Sequence, residues 1–309
     1  MNWHDAILLG LLEGLTEFLP VSSTGHLILL GDRLGANDEA SKTLDVVIQL
    51  GAVLAVVVYF RARLAALLRG LLAREPLQIA LAKAVIIAFV PAAVIGLLFH
   101  KKIEALLFAP APVAAALIVG GVVMIGIELW RKRANAPGEE GLAAVTPKRA
   151  FGIGLAQCIS LWPGSSRSMT TIVGAQLGGV STAAAADFSF LLAIPTLGAA
   201  TVYKLIKGGR ALFAVPGGAA SLAVGMVVSF VVALVVIAAF LRYLKRFGLL
   251  PFGVYRIVLG IIVLATLGVT AAPGKAGEGG AKPATSAVSE QRGRGVGETS
   301  RDLPEAGGR

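Results

Sequence analysis

The sequence predicts an all-α polytopic membrane protein built as an inverted-topology repeat, each half a re-entrant helix hairpin followed by three transmembrane helices. Three observations predict it: the composition, the placement of the charges, and two broken segments that resemble each other. Of 309 residues, 56% are hydrophobic and only 15% are charged, and the mean hydropathy is +0.80. Soluble domains carry roughly 25% charged residues. The composition therefore excludes a soluble enzyme, a disordered chain and a nucleic-acid-binding module. The net charge of +10 is read as orientation and contact with anionic lipid head groups, so membrane lipids and no nucleic acid are the expected partners. Cys158 is the one cysteine, which excludes an internal disulfide and a cysteine metal cluster. Residues 1–12 show neither a basic n-region nor a cleavage site, so no removable signal peptide is expected.

The first repeat covers 1–149 and opens on a re-entrant segment at 6–31. Its short apolar pieces are interrupted by Glu13, Glu17, Pro20 and a polar run, and pieces this short do not reach across a bilayer. Spans follow at 43–60, 79–99 and 113–130, each near the roughly 20 residues a bilayer requires. The second repeat covers 150–272 with the same layout: a re-entrant segment at 150–180, then spans at 184–203, 219–241 and 252–272. Leu19-Pro20-Val21-Ser22-Ser23 lines up with Trp162-Pro163-Gly164-Ser165-Ser166, and Asp45 and Asp187 open the spans that follow. Three spans per half set the second half on the opposite face, which makes the repeat inverted. Broken elements at matching positions of two halves point to a site near the midplane. Residues 273–309 are rich in Gly, Ser, Pro and charge and are expected to form a disordered tail.

Only Lys83, Arg167 and Arg256 are basic residues within the spans or the two broken segments. Lys83 and Arg256 read as snorkelling residues near span ends, whereas Arg167 lies in a Ser/Gly/Pro cluster. Loops 61–78, 131–149 and 242–251 hold twelve basic residues and the opposite loops seven, which assigns the first set to the cytoplasm.

Glu13 and Glu17, four apart, share one helix face. Carboxylates inside an apolar segment need a cation, a proton or an arginine, and one or two carboxylates completed by phosphate oxygens suit Mg²⁺. Pro20 ends the helix, and Ser22, Ser23 and Thr24 then supply hydroxyls that serve either as helix caps or in chemistry. His26 offers a general acid or base. In the second segment Ser165, Ser166, Arg167, Ser168, Thr170 and Thr171 combine hydroxyls with a guanidinium fork suited to phosphate. A helix starting near Ser168 aims its positive end at an anion. A pairing of Arg167 with Glu17 fits the empty state. A phosphate-bearing lipid is the substrate type that suits this set.

EGLTEFLPVSSTGHL at 13–27 and PGSSRSMTT at 163–171 resemble the two signature segments of the undecaprenyl-diphosphatase family, also called bacitracin-resistance proteins. The likeness runs from residue 1 to about 272 and includes TLDVVIQLGAVLAVVVYF, SFLLAIP and PFGVYRIVLG. It implies an enzyme of the bacterial inner membrane that converts undecaprenyl diphosphate to undecaprenyl phosphate, with a site open to the periplasm, a divalent cation (Mg²⁺ or Ca²⁺) and a homodimer. Glu13 and Glu17 match the family's acidic pair; Ser22, Ser23 and His26 match its Ser-Ser-x-x-His segment; Ser166, Arg167 and Thr171 match its second motif.

On this reading Glu13 and Glu17 hold the cation. Ser22, Ser165, Ser166, Arg167 and Thr171 bind phosphate, and Glu17, Ser23, His26 and Arg167 carry catalysis. Ser23 as nucleophile and direct attack by water, with Glu17 or His26 as base, both remain open. The competing expectation is a secondary transporter or lipid flippase, because inverted repeats with broken helices are also transporter architecture. An acid-phosphatase-like lipid phosphatase would need two histidines in its motif. Only His4, His26 and His100 are present, with His100 expected in a loop, and no G-x-S-x-G marks a serine hydrolase.

Overall fold

A computed structural model of the chain describes residues 3–34, 39–214 and 218–271. The expected tail at 273–309 lies outside the described residues, as does the side chain of Asp45. The described residues form eleven α-helices: α1 (Trp3–Thr16), α2 (Ser23–Leu34), α3 (Glu39–Tyr59), α4 (Arg61–Leu72), α5 (Pro76–Leu107), α6 (Pro110–Arg133), α7 (Pro147–Cys158), α8 (Arg167–Leu177), α9 (Thr182–Ala214), α10 (Gly218–Phe247) and α11 (Leu250–Ala271). Short 3-10 turns flank α7, and the described residues contain no strand. Five helices, α5, α6, α9, α10 and α11, are long and apolar enough to cross a membrane, and α3 with α4 makes a sixth if that bent pair is one span. The chain is a multi-pass membrane protein.

The helices differ in reach. α1 has 14 residues, α2 and α7 have 12 each, and α8 has 11. At 1.5 Å per residue none exceeds about 21 Å, short of the roughly 30 Å hydrocarbon core. Each broken segment is thus two half-length helices joined by a polar turn. Proline marks the helix starts: Pro76, Pro110 and Pro147 occupy first-turn positions, where no intrahelical partner is lost. Pro91 and Pro195 sit inside α5 and α9, a placement that membrane helices tolerate.

Two expectations are corrected. The stretch 61–78 is not a plain loop: Arg61–Leu72 is helical and turns 71° from α3. Its arginines alternate with leucines, so the segment holds helical backbone bonds while Arg63 reaches Asp187 of α9 at 2.7 Å. His100 is likewise helical, within α5, and its Nε2 faces the Tyr203 hydroxyl at 3.3 Å.

α1 lies against α10, α7 against α5, α3 against α9 and α10, and α6 against α11. Small residues allow the close approaches. A Cβ added at Gly14 would meet the Ser229 carbonyl oxygen at 2.8 Å. One apolar core runs through both halves and includes Phe18, Ile153, Ile172, Phe188, Phe190 and Phe240. Phe18 meets Phe190 edge-on at 5.2 Å, directly after Glu17 in the chain.

The connection 134–146 is tied down by arginines. Buried Arg131 donates to the carbonyls of Gln176 and Pro137, each at 2.7 Å, which caps the C-terminal end of α8 with a cation. Arg149 forks onto the exposed Glu139 carboxylate and also donates to Ala144 O at 2.8 Å. That hydrogen-bonded guanidinium holds the Glu139 carboxyl below its usual range.

Candidate active site

The turns of the two broken segments meet, and Glu17 is where their side chains join. One Glu17 oxygen accepts from Arg167 Nη2 at 3.1 Å; the other accepts a short hydrogen bond from Ser23 Oγ. All three side chains are buried. Glu13, one helical turn earlier, is fully buried as well. An unpaired charge at this depth is costly, and a hydrogen-bonded pair with a guanidinium is the arrangement that offsets it. Arg167 is further held by Ser189, whose carbonyl and hydroxyl oxygens accept from Nη1 at 3.1 and 3.2 Å. The guanidinium also lies 5.6 Å from the Phe18 ring centre. Thr171 fixes the same corner: its hydroxyl donates to Arg167 O at 2.8 Å and contacts Ser189 Oγ at 2.7 Å.

Both turns end in a serine at positive φ, 74° at Ser22 and 70° at Ser166. Such backbone is uncommon for residues with a Cβ and marks places worth a functional reading. Each serine caps the helix that follows. Ser22 Oγ accepts from Gly25 N at 3.3 Å, and Ser166 Oγ accepts from Met169 N at 3.3 Å. The capping geometry therefore sets Ser22 against Ser166, one residue away from the register suggested by the Pro-x-Ser-Ser match. The second turn reaches its cap three residues after Pro163; the first reaches it two after Pro20. In this register Ser23 corresponds to Arg167, and these first helical residues are the two that touch Glu17.

The turns also bond to each other. Gly164 N donates to Ser22 Oγ at 3.1 Å, and Ser168 Oγ donates to Leu19 O at 2.9 Å. Gly164 has φ of 96°, and a Cβ there would come within 2.9 Å of Ala116 Cβ, so the position admits only glycine without displacement. Ser165 is buried, and its N–H closes a turn onto Trp162 O at 3.0 Å.

Arg256 does not snorkel. It is fully buried and donates to Pro20 O at 3.1 Å, Ala116 O at 3.1 Å and Gly164 O at 2.8 Å. One guanidinium thus joins both turns to α6. Lys83, by contrast, is exposed, as snorkelling expects. His26 stands apart from the Glu17 cluster: its Nδ1 faces Ser22 O at 2.7 Å and its Nε2 faces the Tyr255 hydroxyl at 2.7 Å. Sequence reasoning missed Tyr255, Arg256 and Ser189. The available signal was Arg256 itself, seven residues into a helix (about 10 Å along its axis) and too deep for a terminal snorkel.

Chemically, the cluster pairs a hydroxyl aimed at a carboxylate with a buried guanidinium: an acceptor for a proton, a candidate nucleophile and an anion partner. Glu13 and Glu17 are the carboxylates that could hold a divalent cation, because Mg²⁺ uses one or two carboxylates and takes its remaining oxygens from water or phosphate. No larger His/Cys/Asp/Glu grouping suited to a metal occurs among the described residues.

Known proteins resemble this chain over most of its length. The chain is 68% identical over 264 residues to an undecaprenyl-diphosphatase of Sorangium cellulosum, covering 85% of this chain and 86% of that protein. It is 47% identical over 260 residues to an undecaprenyl-diphosphatase of Sphingopyxis alaskensis, covering 83% and 96%. It is 46% identical over 260 residues to one of Caldanaerobacter subterraneus subsp. tengcongensis, covering 84% and 94%. The family described as bacitracin resistance protein BacA matches residues 6–262, and the chain belongs to that family.

Proposed function

We propose that this protein hydrolyses undecaprenyl diphosphate to undecaprenyl phosphate and inorganic phosphate, recycling the lipid carrier for cell-wall synthesis. The observation that carries the reading is the single Glu17 carboxylate shared by the Ser23 hydroxyl and the Arg167 guanidinium. It sits in the BacA family, among relatives named undecaprenyl-diphosphatase.

The geometry favours Ser23 as nucleophile. Its proton already points at Glu17, so Glu17 is its general base. Ser23 Oγ attacks the terminal phosphorus, its proton passes to Glu17, and the bond to the bridging oxygen breaks to release undecaprenyl phosphate. Glu17 passes that proton to solvent and, ionised again, takes one from the water that attacks the phosphoserine; the bond from phosphorus to Ser23 Oγ breaks, Oγ recovers a proton from Glu17, and phosphate leaves. Arg167 exchanges its hold on Glu17 for the phosphate oxygens, where positioning and charge neutralisation carry most of phosphoryl-transfer catalysis. Ser22, Ser165, Ser166 and Thr171 support the phosphate end of the site. Glu13 and Glu17 would hold a Mg²⁺ or Ca²⁺ ion, which supplies further neutralisation of the diphosphate. His26 has both ring nitrogens engaged and serves the later proton movements.

The two halves form an inverted repeat, 1–149 and 150–272, with the site open to the periplasmic face of the inner membrane and the protein a homodimer. Supporting the repeat, α3 packs on α9 and α6 on α11, while α1 on α10 mirrors α7 on α5. The matching serine caps support it too. A transporter or flippase would use the same cavity, but a serine hydrogen-bonded to a buried carboxylate contributes nothing to carrying a lipid across. The test is phosphate release by the purified chain in detergent, with undecaprenyl diphosphate beside a water-soluble diphosphate, each with and without chelator. Release from the lipid that stops on chelation supports the reading, as does trapping phosphoserine at Ser23 by acid quench. Absence of release from the lipid would refute it.

A further inference from the structure

We infer that Tyr255 is a positioning residue for His26, fixing its tautomer so that the proton sits on Nδ1 and Nε2 is the basic ring nitrogen. The inference rests on the hydrolase reading for its purpose and on geometry for its content. His26 Nδ1 lies 2.7 Å from Ser22 O, an atom that only accepts, so Nδ1 carries the proton. In the neutral ring Nε2 is then an acceptor, and the group facing it at 2.7 Å is the Tyr255 hydroxyl, which donates. The two rings are nearly parallel, 3° between planes, with their centres 5.8 Å apart.

The neighbouring bonds explain why this contact is selective. Ser22 O also accepts the His26 backbone N–H at 3.2 Å, so the imidazole is referenced to the strained cap that starts α2. Tyr255 precedes Arg256, whose guanidinium holds the carbonyls of Pro20 and Gly164. One turn of α11 therefore sets both the position of the two loops and the orientation of the imidazole. Tyr255 is 45% exposed, so its ring is not a packing element of the core. Its hydroxyl is the part the structure uses. A fixed tautomer matters for a group that passes protons, because the orienting hydrogen bond on one nitrogen decides which nitrogen exchanges.

The test is ¹⁵N-histidine NMR on the full chain in detergent, with phosphate release measured on the same samples. The chain has three histidines, and loss of one signal set in His26→Gln assigns His26. The unaltered protein is expected to show Nδ1 protonated and Nε2 unprotonated. In Tyr255→Phe the signals move toward the Nε2–H form or a mixture. Losing one hydrogen bond, kcat falls roughly tenfold with KM within about twofold. In a His26→Gln background the Tyr255→Phe change has almost no further effect, the non-additivity of two residues acting as one unit. An Nε2–H or doubly protonated His26 in the unaltered protein would overturn the inference without recourse to any variant. So would independent, multiplying effects of the two substitutions. Failure of the unaltered chain to release phosphate would sink the hydrolase reading alone, since the tautomer is read without turnover.

Discussion

The turns of the two broken segments are alike in backbone and opposite in charge. Each ends in a left-handed serine, Ser22 or Ser166, that caps a half-length helix, and each sends the first residue of that helix to Glu17. From the first turn this residue is Ser23; from the second it is Arg167. The first hairpin also supplies the carboxylates, while the second supplies the guanidinium and the hydroxyls around it. A repeated frame thus presents two different chemistries to one point, and neither hairpin makes a site alone. The partner turn bonds to the strained serine of the first, Gly164 N donating to Ser22 Oγ.

Substitutions at the junction break this comparison most severely. Glu17→Ala removes the proton acceptor and leaves Arg167 buried without its carboxylate. Phosphate release should fall more than about a thousandfold. Stability should fall by about 3–5 kcal/mol, read as a lower thermal midpoint. Next in size is Arg256→Met, which frees three carbonyls that hold the turns in register. A kcat loss on the order of a hundredfold is expected from the misplacement, with undiminished release speaking against the pin.

Gly164→Ala sharpens the contrast between the turns, because in the cap register Gly164 stands opposite Pro20, which carries a Cβ. The left-handed backbone alone costs about 1–2 kcal/mol with a Cβ, and the press against Ala116 adds to it. A thermal midpoint equal to that of the unaltered chain would show that the second turn is not constrained as described. The smallest effects belong to the caps. Ser166→Ala should cost about 1 kcal/mol through loss of the cap. Ser166→Gly should cost only a few tenths, because glycine loses the cap and relieves the positive φ. The same ranking should hold at Ser22, and an inverted ranking at either serine would show that its backbone is not strained.

Much of this was legible in the sequence because it rests on short-range pattern. Apolar length marks the five long helices α5, α6, α9, α10 and α11. Glu13, Glu17 and Arg167 stand out as charges in segments too short to cross. What stayed hidden is long-range. Arg256 near a span end has the sequence appearance of a snorkelling residue, and only the fold places three carbonyls around it. The partner of His26 is 229 residues away, and no local spacing signals it. The Pro-x-Ser-Ser match misled the register by one residue, because identical letters hid an extra residue in the second turn. The arginines of 61–74 read as a topological marker, while the leucines between them carry a helix.

The most direct test of a site shared between the halves is phosphate release from undecaprenyl diphosphate by purified Arg167→Ala beside the unaltered chain, with thermal unfolding of both. A folded Arg167→Ala protein without detectable release is the predicted result; a folded protein that releases phosphate at the unaltered rate would contradict the account.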